Sequence, residues 1–205
     1  MDKKIPFATR ERYPDYLRVL RYFQAKGLDK IMSNDLAREL GINSTSVRRD
    51  ISYLGHMGRQ GYGYSITTLI DELKKELGDG KDEGIVLIGV GNMGKALLKY
   101  NTFSFQVGRI VCAFDIDPHN IGIVDGVPVY NYKDLYSRFP KGVKIAILAM
   151  PGNIAQKVAD ELMSLGVTAF INFSDGVLKT RKRVIVESVD LASLIQDIIY
   201  KFKTN

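Results

Sequence analysis

Apolar residues in the first 78 positions recur at helical spacing and are punctuated by glycine. Tyr16, Leu17, Leu20 and Phe23 share one helical face, Pro14 suits a first helical position, and Gly27 supplies a stop. A shorter stretch begins at Ser33, a residue suited to an N-cap, and closes on Gly41. A short helix ended by glycine and succeeded at once by another is the arrangement of a helix-turn-helix. In the next helix, residues 44–54, Val47, Ile51 and Leu54 form one narrow apolar face. Thr45, Arg48, Arg49 and Ser52 lie on the opposite face, with Ser44 and Ser46 at its start. Such hydroxyls and guanidinium groups hydrogen-bond phosphates and the acceptor edges of guanine. A solvated face of a structural helix has the same composition, so the helix alone does not decide between the two.

The next ten residues, Gly55 to Tyr64, shift the balance, because they hold four glycines and Arg59. This predicts a tight hairpin wing in which Arg59, Gln60, Gly61 and Tyr62 reach the backbone or minor groove of a duplex. Helices plus a basic wing make a winged helix-turn-helix. Residues 71–77 read as a short linking helix, and the glycine-rich, charged residues 78–82 as a boundary. The expected domains are 1–78 for DNA and 79–205 for the remainder.

Beyond the boundary the period changes. Residues 84–88 form a short apolar run leading into Gly89-Val90-Gly91-Asn92-Met93-Gly94, and good helix formers come next. A second apolar run, residues 109–114, ends in Asp115, 21 residues beyond Gly94. A lone GxGxxG is a weak signal; placed between a strand and a helix, with an acid at the next strand end, it is a dinucleotide fingerprint. Gly89 would make the turn, Gly91 admit a pyrophosphate, and Gly94 allow close packing. Asp115, with Asp117 as second candidate, would accept the ribose hydroxyls and repel a 2′-phosphate, which favours NAD(H). A plain strand-turn-helix without a ligand is the competing interpretation. Further strands are expected at 143–149, 167–173 and 183–189, with a helix at 154–165. The result is an α/β fold with a doubly wound parallel sheet. Pro151 sits in a loop at a strand's carboxyl end, where such sheets bind ligands. In the final helix Leu191, Leu194, Ile195, Ile198, Ile199 and Phe202 form an unbroken stripe that must be buried by its own domain or by a second subunit. Asp190 precedes it as an N-cap.

Charge sharpens this division. Residues 1–62 carry 12 Lys+Arg against 7 Asp+Glu, while residues 63–205 carry 17 against 16. The basic half is the one expected to meet a polyanion. No run approaches the ~18 apolar residues of a membrane span, and the polar start lacks the apolar core of a secretory signal. The lone cysteine, Cys112, excludes an internal disulfide and a cysteine-rich metal site. The expectation is a cytoplasmic protein with no metal and no membrane partner. It is also not an enzyme: after the strands only one helix remains to build a substrate pocket, and neither His56 nor His119 is placed for hydride chemistry.

Taken together, these residues resemble the Rex family of redox-sensing repressors across nearly the whole chain. The resemblance is carried by Val47-Arg48-Arg49-Asp50-Ile51-Ser52-Tyr53-Leu54-Gly55, Gly61-Tyr62-Gly63-Tyr64, the glycine loop, Phe114-Asp115-Ile116-Asp117-Pro118, Ile171-Asn172-Phe173 and Val189-Asp190-Leu191-Ala192. It implies a homodimer with exchanged C-terminal helices, bound to double-stranded DNA at inverted-repeat operators of fermentation and respiration genes. It implies that NADH and NAD⁺ act as ligands that are not turned over, NADH releasing the DNA and NAD⁺ permitting its binding. It assigns a switch to Arg18, Tyr100 and Asp190, and nicotinamide-side contacts to Asn172 and Phe173. The chain departs from the family pattern at Gln60, where a second basic residue is usual, and at Ser174-Asp175, where Ala-Pro is usual.

Overall fold

Helix α1 spans Phe7–Ala25 with Pro14 in its interior, two turns after the helix begins, although the sequence places its start at that proline. An interior proline costs a helix about 3 kcal/mol. What holds the preceding turns helical is buried: Thr9 and Tyr13 are 2% and 0% exposed, and both bind Asp50 of a later helix. The computed structural model describes residues 5–55, 58–59, 62–78, 83–103 and 108–204. It divides into two units, Met1–Asp79 and Gly80–Asn205.

In the first unit, α1 is succeeded by β1 (Lys30–Ile31), α2 (Ser33–Leu40), α3 (Ser44–Tyr53), β2 (Gly58–Arg59), β3 (Gly63–Ser65) and α4 (Ile66–Leu77). Gly41 closes α2 in the left-handed conformation, at φ 63°, as a residue without Cβ can. Ser33 is the first helical residue rather than the cap, because its hydroxyl accepts a hydrogen bond from Arg48 instead of the helix amides. Asn43 caps α3, accepting from the Thr45 amide at 2.8 Å. The wing is an antiparallel pair with Gly58 opposite Tyr64 and Arg59 opposite Gly63, and β1 adds a third strand on the far side of β3. Helix α4 begins five residues before the expected 71, capped by Ser65. Its residues Ile66, Leu69, Ile70 and Leu73 are buried with Tyr16, Leu20, Leu36, Val47 and Ile51 in one core.

The second unit is a seven-stranded sheet. In chain order it comprises β4 (Gly84–Ile88), α5 (Asn92–Phe103), β5 (Arg109–Asp115), β6 (Gly122–Val124), β7 (Val127–Asn131), α6 (Leu135–Arg138), β8 (Ile145–Leu148), α7 (Gly152–Ser164), β9 (Ala169–Asn172), β10 (Ile185–Ser188) and α8 (Leu191–Thr204). The strand order is β10-β9-β8-β4-β5-β7-β6, parallel throughout except for β6 against β7. Alternation along the strands makes two cores. Ile85, Leu87, Ile110 and Ala113 face Leu98 of α5, whereas Val86, Ile88, Phe114 and Ala146 face Val158 and Leu162 of α7. Helices on both faces are what a doubly wound sheet requires. The hairpin β6–β7 lies outside the strands expected from sequence, although Asp125 at φ 47° and Gly126 at φ 79° form the two-residue turn that Asp-Gly favours. Burial pushes the Cys112 thiol up to about 12, which keeps it an inert core group. Helix α8 has no buried residue: its own unit leaves Leu191, Leu194, Ile195, Ile198, Ile199 and Phe202 between 47% and 85% exposed. No helix among the described residues is long and apolar enough to cross a membrane.

The tie between α1 and α3 lends itself to a direct test. Asp50 is 0% exposed and accepts from Thr9 at 2.9 Å, Arg12 at 2.8 and 2.9 Å and Tyr16 at 2.9 Å. Burial pushes its carboxyl up, but the bonds from Arg12, Thr9 and Tyr16 more than offset this and hold it below the ordinary carboxylate range. A depressed folded-state value stabilises the fold above the unfolded value of ~3.9, and that stability disappears as pH falls through the lower folded value. Asp50→Ala leaves three buried or half-buried donors unpaired and is expected to destabilise the first unit by about 3 kcal/mol at pH 7. Chemical denaturation followed by circular dichroism at pH 7 and pH 3 checks this: the deficit should shrink at the lower pH, and a deficit independent of pH would refute the charge-based account.

Candidate functional site

Two sites emerge, one in each unit. On α3, Thr45, Arg48, Arg49 and Ser52 are exposed or half-buried while Val47, Asp50 and Ile51 are buried, so the expected polar face is presented outward. The Arg48 guanidinium lies 3.3 Å from the Thr45 hydroxyl and 3.4 Å from that of Ser33, which sets its stem across the turn between α2 and α3. The Ser52 hydroxyl donates to the Arg49 carbonyl at 2.6 Å and retains acceptor capacity. Tyr62 is 71% exposed beside the wing. Gln60, Gly61 and His56 lie outside the described residues.

In the second unit, the loops after β4, β5 and β8 meet at the carboxyl edge of the sheet. They enclose a cavity of about 370 Å³. Gly89, Gly91, Asp115 and Pro151, all expected from sequence, line it. Ile116 and Met150, which belong to the expected segments around Asp115 and Pro151, line it too, and so do Asn120, Tyr132, Ile154, Lys157 and Val158, which were not expected. Ile154, Lys157 and Val158 fall at i, i+3 and i+4 of α7, a spacing legible in sequence once the loop before that helix is taken as a ligand loop. Asn120 and Tyr132 belong to 3₁₀ turns whose positions no periodicity announced.

The three glycines differ in what surrounds them. A Cβ on Gly89, at φ 93°, would stand 2.3 Å from the Ala149 carbonyl oxygen, and one on Gly94 would stand 2.1 Å from the Gly89 carbonyl oxygen. These two glycines allow backbones to touch. A Cβ on Gly91 would meet no protein atom within 4 Å, so Gly91 borders open cavity space. Val90 is fully buried, whereas Asn92 and Met93 are exposed at the start of α5 with their amides at the positive end of the helix.

Asp115 is 9% exposed. One carboxylate oxygen accepts from the Val90 amide and the other from the Asp117 amide at 2.7 Å. Each oxygen keeps acceptor capacity for a further donor. Asp117 instead caps the next turn, accepting from the His119 amide at 2.9 Å. Asn172 does not line the cavity; it is 1% exposed and organises its own loop, donating to the Gly176 carbonyl and accepting from the Ser174 amide and hydroxyl. Phe173 is half-buried against the core. The departure at Asp175 has a local purpose, since its carboxylate accepts from the Gly152 amide at 2.8 Å and ties the Pro151 loop to the Asn172 loop. Gly152 and Gly176 touch there, a Cβ on either coming within 2.8 Å of the other's backbone. Tyr100 lies on α5, 57% exposed. Asp190 caps α8 through the Ser193 hydroxyl and amide and the Ala192 amide, which hold its carboxyl below the ordinary range. Arg18 is exposed on α1 and pairs with Asp15 at 3.0 Å.

The glycine geometry separates folding from binding. Gly91→Ala is expected to leave the melting temperature nearly unchanged and to weaken NADH binding at least about ten-fold, a loss of ~1.4 kcal/mol, because its methyl enters ligand space. Gly94→Ala should lower the melting temperature itself, an overpacked contact costing about 1–3 kcal/mol. Calorimetry of folding and of NADH binding on both variants checks the pair; unimpaired NADH binding by Gly91→Ala would contradict the assignment.

Family models match both units: "Putative DNA-binding protein N-terminus" over residues 4–52 and "CoA binding domain" over residues 80–176. The redox-sensing transcriptional repressor Rex of Lactobacillus acidophilus is 42% identical over 199 residues, 96% of this chain and 94% of that protein. Rex 1 of Enterococcus faecalis is 38% identical over 201 residues, covering 97% and 93% of the two chains. Among solved structures, RSP in complex with β-NAD⁺ and operator DNA superimposes with a TM-score of 0.85 at 30% identity, covering 98% of this chain and 94% of that one. RSP in complex with β-NADH does so with a TM-score of 0.84 at 28% identity, covering 98% and 96%. With this identity over almost its full length, and with a helix-turn-helix unit followed by a Rossmann-type unit, the chain belongs to the Rex family of redox-sensing transcriptional repressors.

Proposed function

We propose that this chain represses transcription by binding inverted-repeat operators of fermentation and respiration genes, and that NADH releases it while NAD⁺ permits binding. The observation that supports this best is the presence, on one chain, of an exposed basic helix face and a nucleotide-sized cavity with an acid at the ribose position. Residues 1–78 serve DNA, and residues 79–205 serve the dinucleotide and the dimer. The protein works in the cytoplasm, where both ligands are found.

On the DNA side, Ser44, Thr45, Ser46, Arg48, Arg49 and Ser52 address the major groove, and the wing residues Arg59, Gln60, Gly61 and Tyr62 the adjacent backbone. On the dinucleotide side, the amides from Val90 to Gly94 receive the pyrophosphate and Asp115 the adenosine ribose. Ile116, Ile154 and Val158 supply apolar walls for the adenine. Tyr100, Pro151, Asn172 and Phe173 shape the nicotinamide end. NADH and NAD⁺ differ there in ring charge and planarity, and the protein need only favour one dimer shape over the other by a typical coupling of ~1–3 kcal/mol.

The exposed stripe of α8 is the dimer contact, exchanged between subunits. Six apolar side chains left in water would forgo on the order of 10 kcal/mol of burial, and a two-fold partner is the geometry that paired half-sites about 34 Å apart demand. Arg18, Tyr100 and Asp190 form the switch; Arg18 exchanges its local pairing with Asp15 for Asp190, whose carboxylate is kept ionised by its capping bonds.

Fluorescence anisotropy of a labelled inverted repeat, titrated with NADH, NAD⁺, NADPH and coenzyme A at one salt concentration, tests the reading. NADH should weaken DNA binding about 5–150-fold, NAD⁺ should not, and the ligands carrying a phosphorylated ribose should be much weaker because of Asp115. Arg18→Ala should bind DNA and NADH normally yet lose the response. Release by coenzyme A alone would replace the redox reading by a coenzyme A reading; retained NADH sensitivity in Arg18→Ala would exclude the switch.

A further inference from the structure

The segment Lys179-Thr180-Arg181-Lys182-Arg183, between β9 and β10, places four cations in five positions. Without them residues 63–205 would hold 13 Lys+Arg against 16 Asp+Glu, so this loop is a concentrated exception on an otherwise acidic segment. All four side chains are exposed, and none of the four is in an ion pair among the described residues. The backbone is nevertheless held in place. Gln156 of α7 accepts from the Lys179 amide at 2.7 Å and donates to its carbonyl at 3.0 Å, and the Val184 amide closes a turn onto Arg181 at 3.1 Å.

Sheet register brings more cations to the same edge. Ile185, Ala169, Ile145, Ile85 and Ile110 are neighbours across five parallel strands. One or two residues before this row stand Arg183 at β10, Lys144 at β8 and Arg109 at β5, all exposed. Strands ~4.8 Å apart put successive members of this set ~10 Å apart, a belt of ~20 Å. Glu83, before β4, is the acid on this row. The row of Arg183, Lys144 and Arg109 is the amino edge of the sheet, toward which the loop runs from its tie to Gln156 on α7, and the cavity lies at the carboxyl edge, so the dinucleotide phosphates are not the ligand of that row.

We propose that this belt, led by Lys179, Arg181, Lys182 and Arg183, is a second DNA contact that holds backbone phosphates flanking the operator without reading sequence. The inference rests on the proposed DNA-binding function. A ~20 Å row of cations matches about six phosphates of one strand, which repeat each ~3.4 Å along the axis. Guanidinium groups suit phosphate oxygens in paired hydrogen bonds. The belt would add affinity and salt dependence, and it would make binding sensitive to the length of the duplex beyond the half-sites.

The test uses the full-length protein and two duplexes: the two half-sites alone, and the same operator extended by about ten base pairs at each end. Dissociation constants are measured between about 50 and 200 mM salt for the wild type and for K179Q/R181Q/K182Q/R183Q, with NADH binding as the control for folding. The wild type should show a steeper salt slope on the long duplex than on the short one. Even one phosphate neutralised by each belt, two per dimer, gives a difference of about 1.8 in slope, which is about twelve-fold over that range and is the smallest gain expected. The variant should keep its affinity for the short duplex and its NADH binding but lose the extra slope. Equal slopes for the wild type on both duplexes would overturn the proposal, as would a variant weakened equally on both, or loop-dependent binding of single-stranded RNA with no gain from the DNA flanks. If neither protein binds the short duplex, it is the DNA-binding reading that fails, and the proposal falls with it.

Discussion

The ligand end of the second unit hangs on one hydrogen bond, that from the Val90 amide to the Asp115 carboxylate. It fixes the glycine loop after β4 against the end of β5, so that loop and the Asp115 carboxylate, the proposed phosphate and ribose contacts, are a single piece of structure. The Phe114 carbonyl receives the Gly89 amide at 2.9 Å and extends the same tie by one residue. Gly89 must then pass within touching distance of Ala149, which brings in the loop after β8. Three strands thus arrive at the cavity with their relative positions determined by backbone contacts, and the cavity wall is set by them. Because Asp115 anchors the loop, its identity is constrained by the fold as well as by the ribose role proposed for it.

The first unit has a counterpart in Asp50. Helix α3 is amphipathic, and apolar contacts, being non-directional, fix its orientation less sharply than hydrogen bonds do. Bonds from Thr9, Arg12 and Tyr16 on α1 to one carboxylate on α3 supply that direction. A unit whose reading face is locked to its first helix can report small displacements of that helix, which is a requirement for any signal reaching the DNA from outside the unit. Arg18 lies on the same helix.

Much of this is legible in the sequence. The outward face of α3, the wing, the glycine loop, Asp115 at a strand end and the central alternation of strands and helices all derive from periodicity and from spacing between special residues, whereas β1, the β6–β7 hairpin and α6 do not. The features that escape do so for physical reasons. Pro14 signals a helix start locally, and only the long-range contacts of Thr9 and Tyr13 override it. Asp50 sits between Arg49 and Ile51 in a run where a charged residue is expected to face water; its burial depends on partners 34 to 41 positions away. Asn172 has the chemistry of a ligand contact, and what the sequence does not show is that it also organises its own loop through bonds to Gly176 and Ser174. The cavity wall opposite the glycine loop is split between α7 and two 3₁₀ turns, so no single segment carries its signal.

The central claim is that the dinucleotide site and the DNA face are thermodynamically coupled, and coupling between binding equilibria is reciprocal. Calorimetric titration of NADH into the protein alone and into its saturated operator complex measures that coupling from the ligand side. The account predicts that operator DNA weakens NADH binding by the same factor by which NADH weakens DNA binding, and that NAD⁺ shows no such penalty. An NADH affinity unchanged by saturating operator would contradict it.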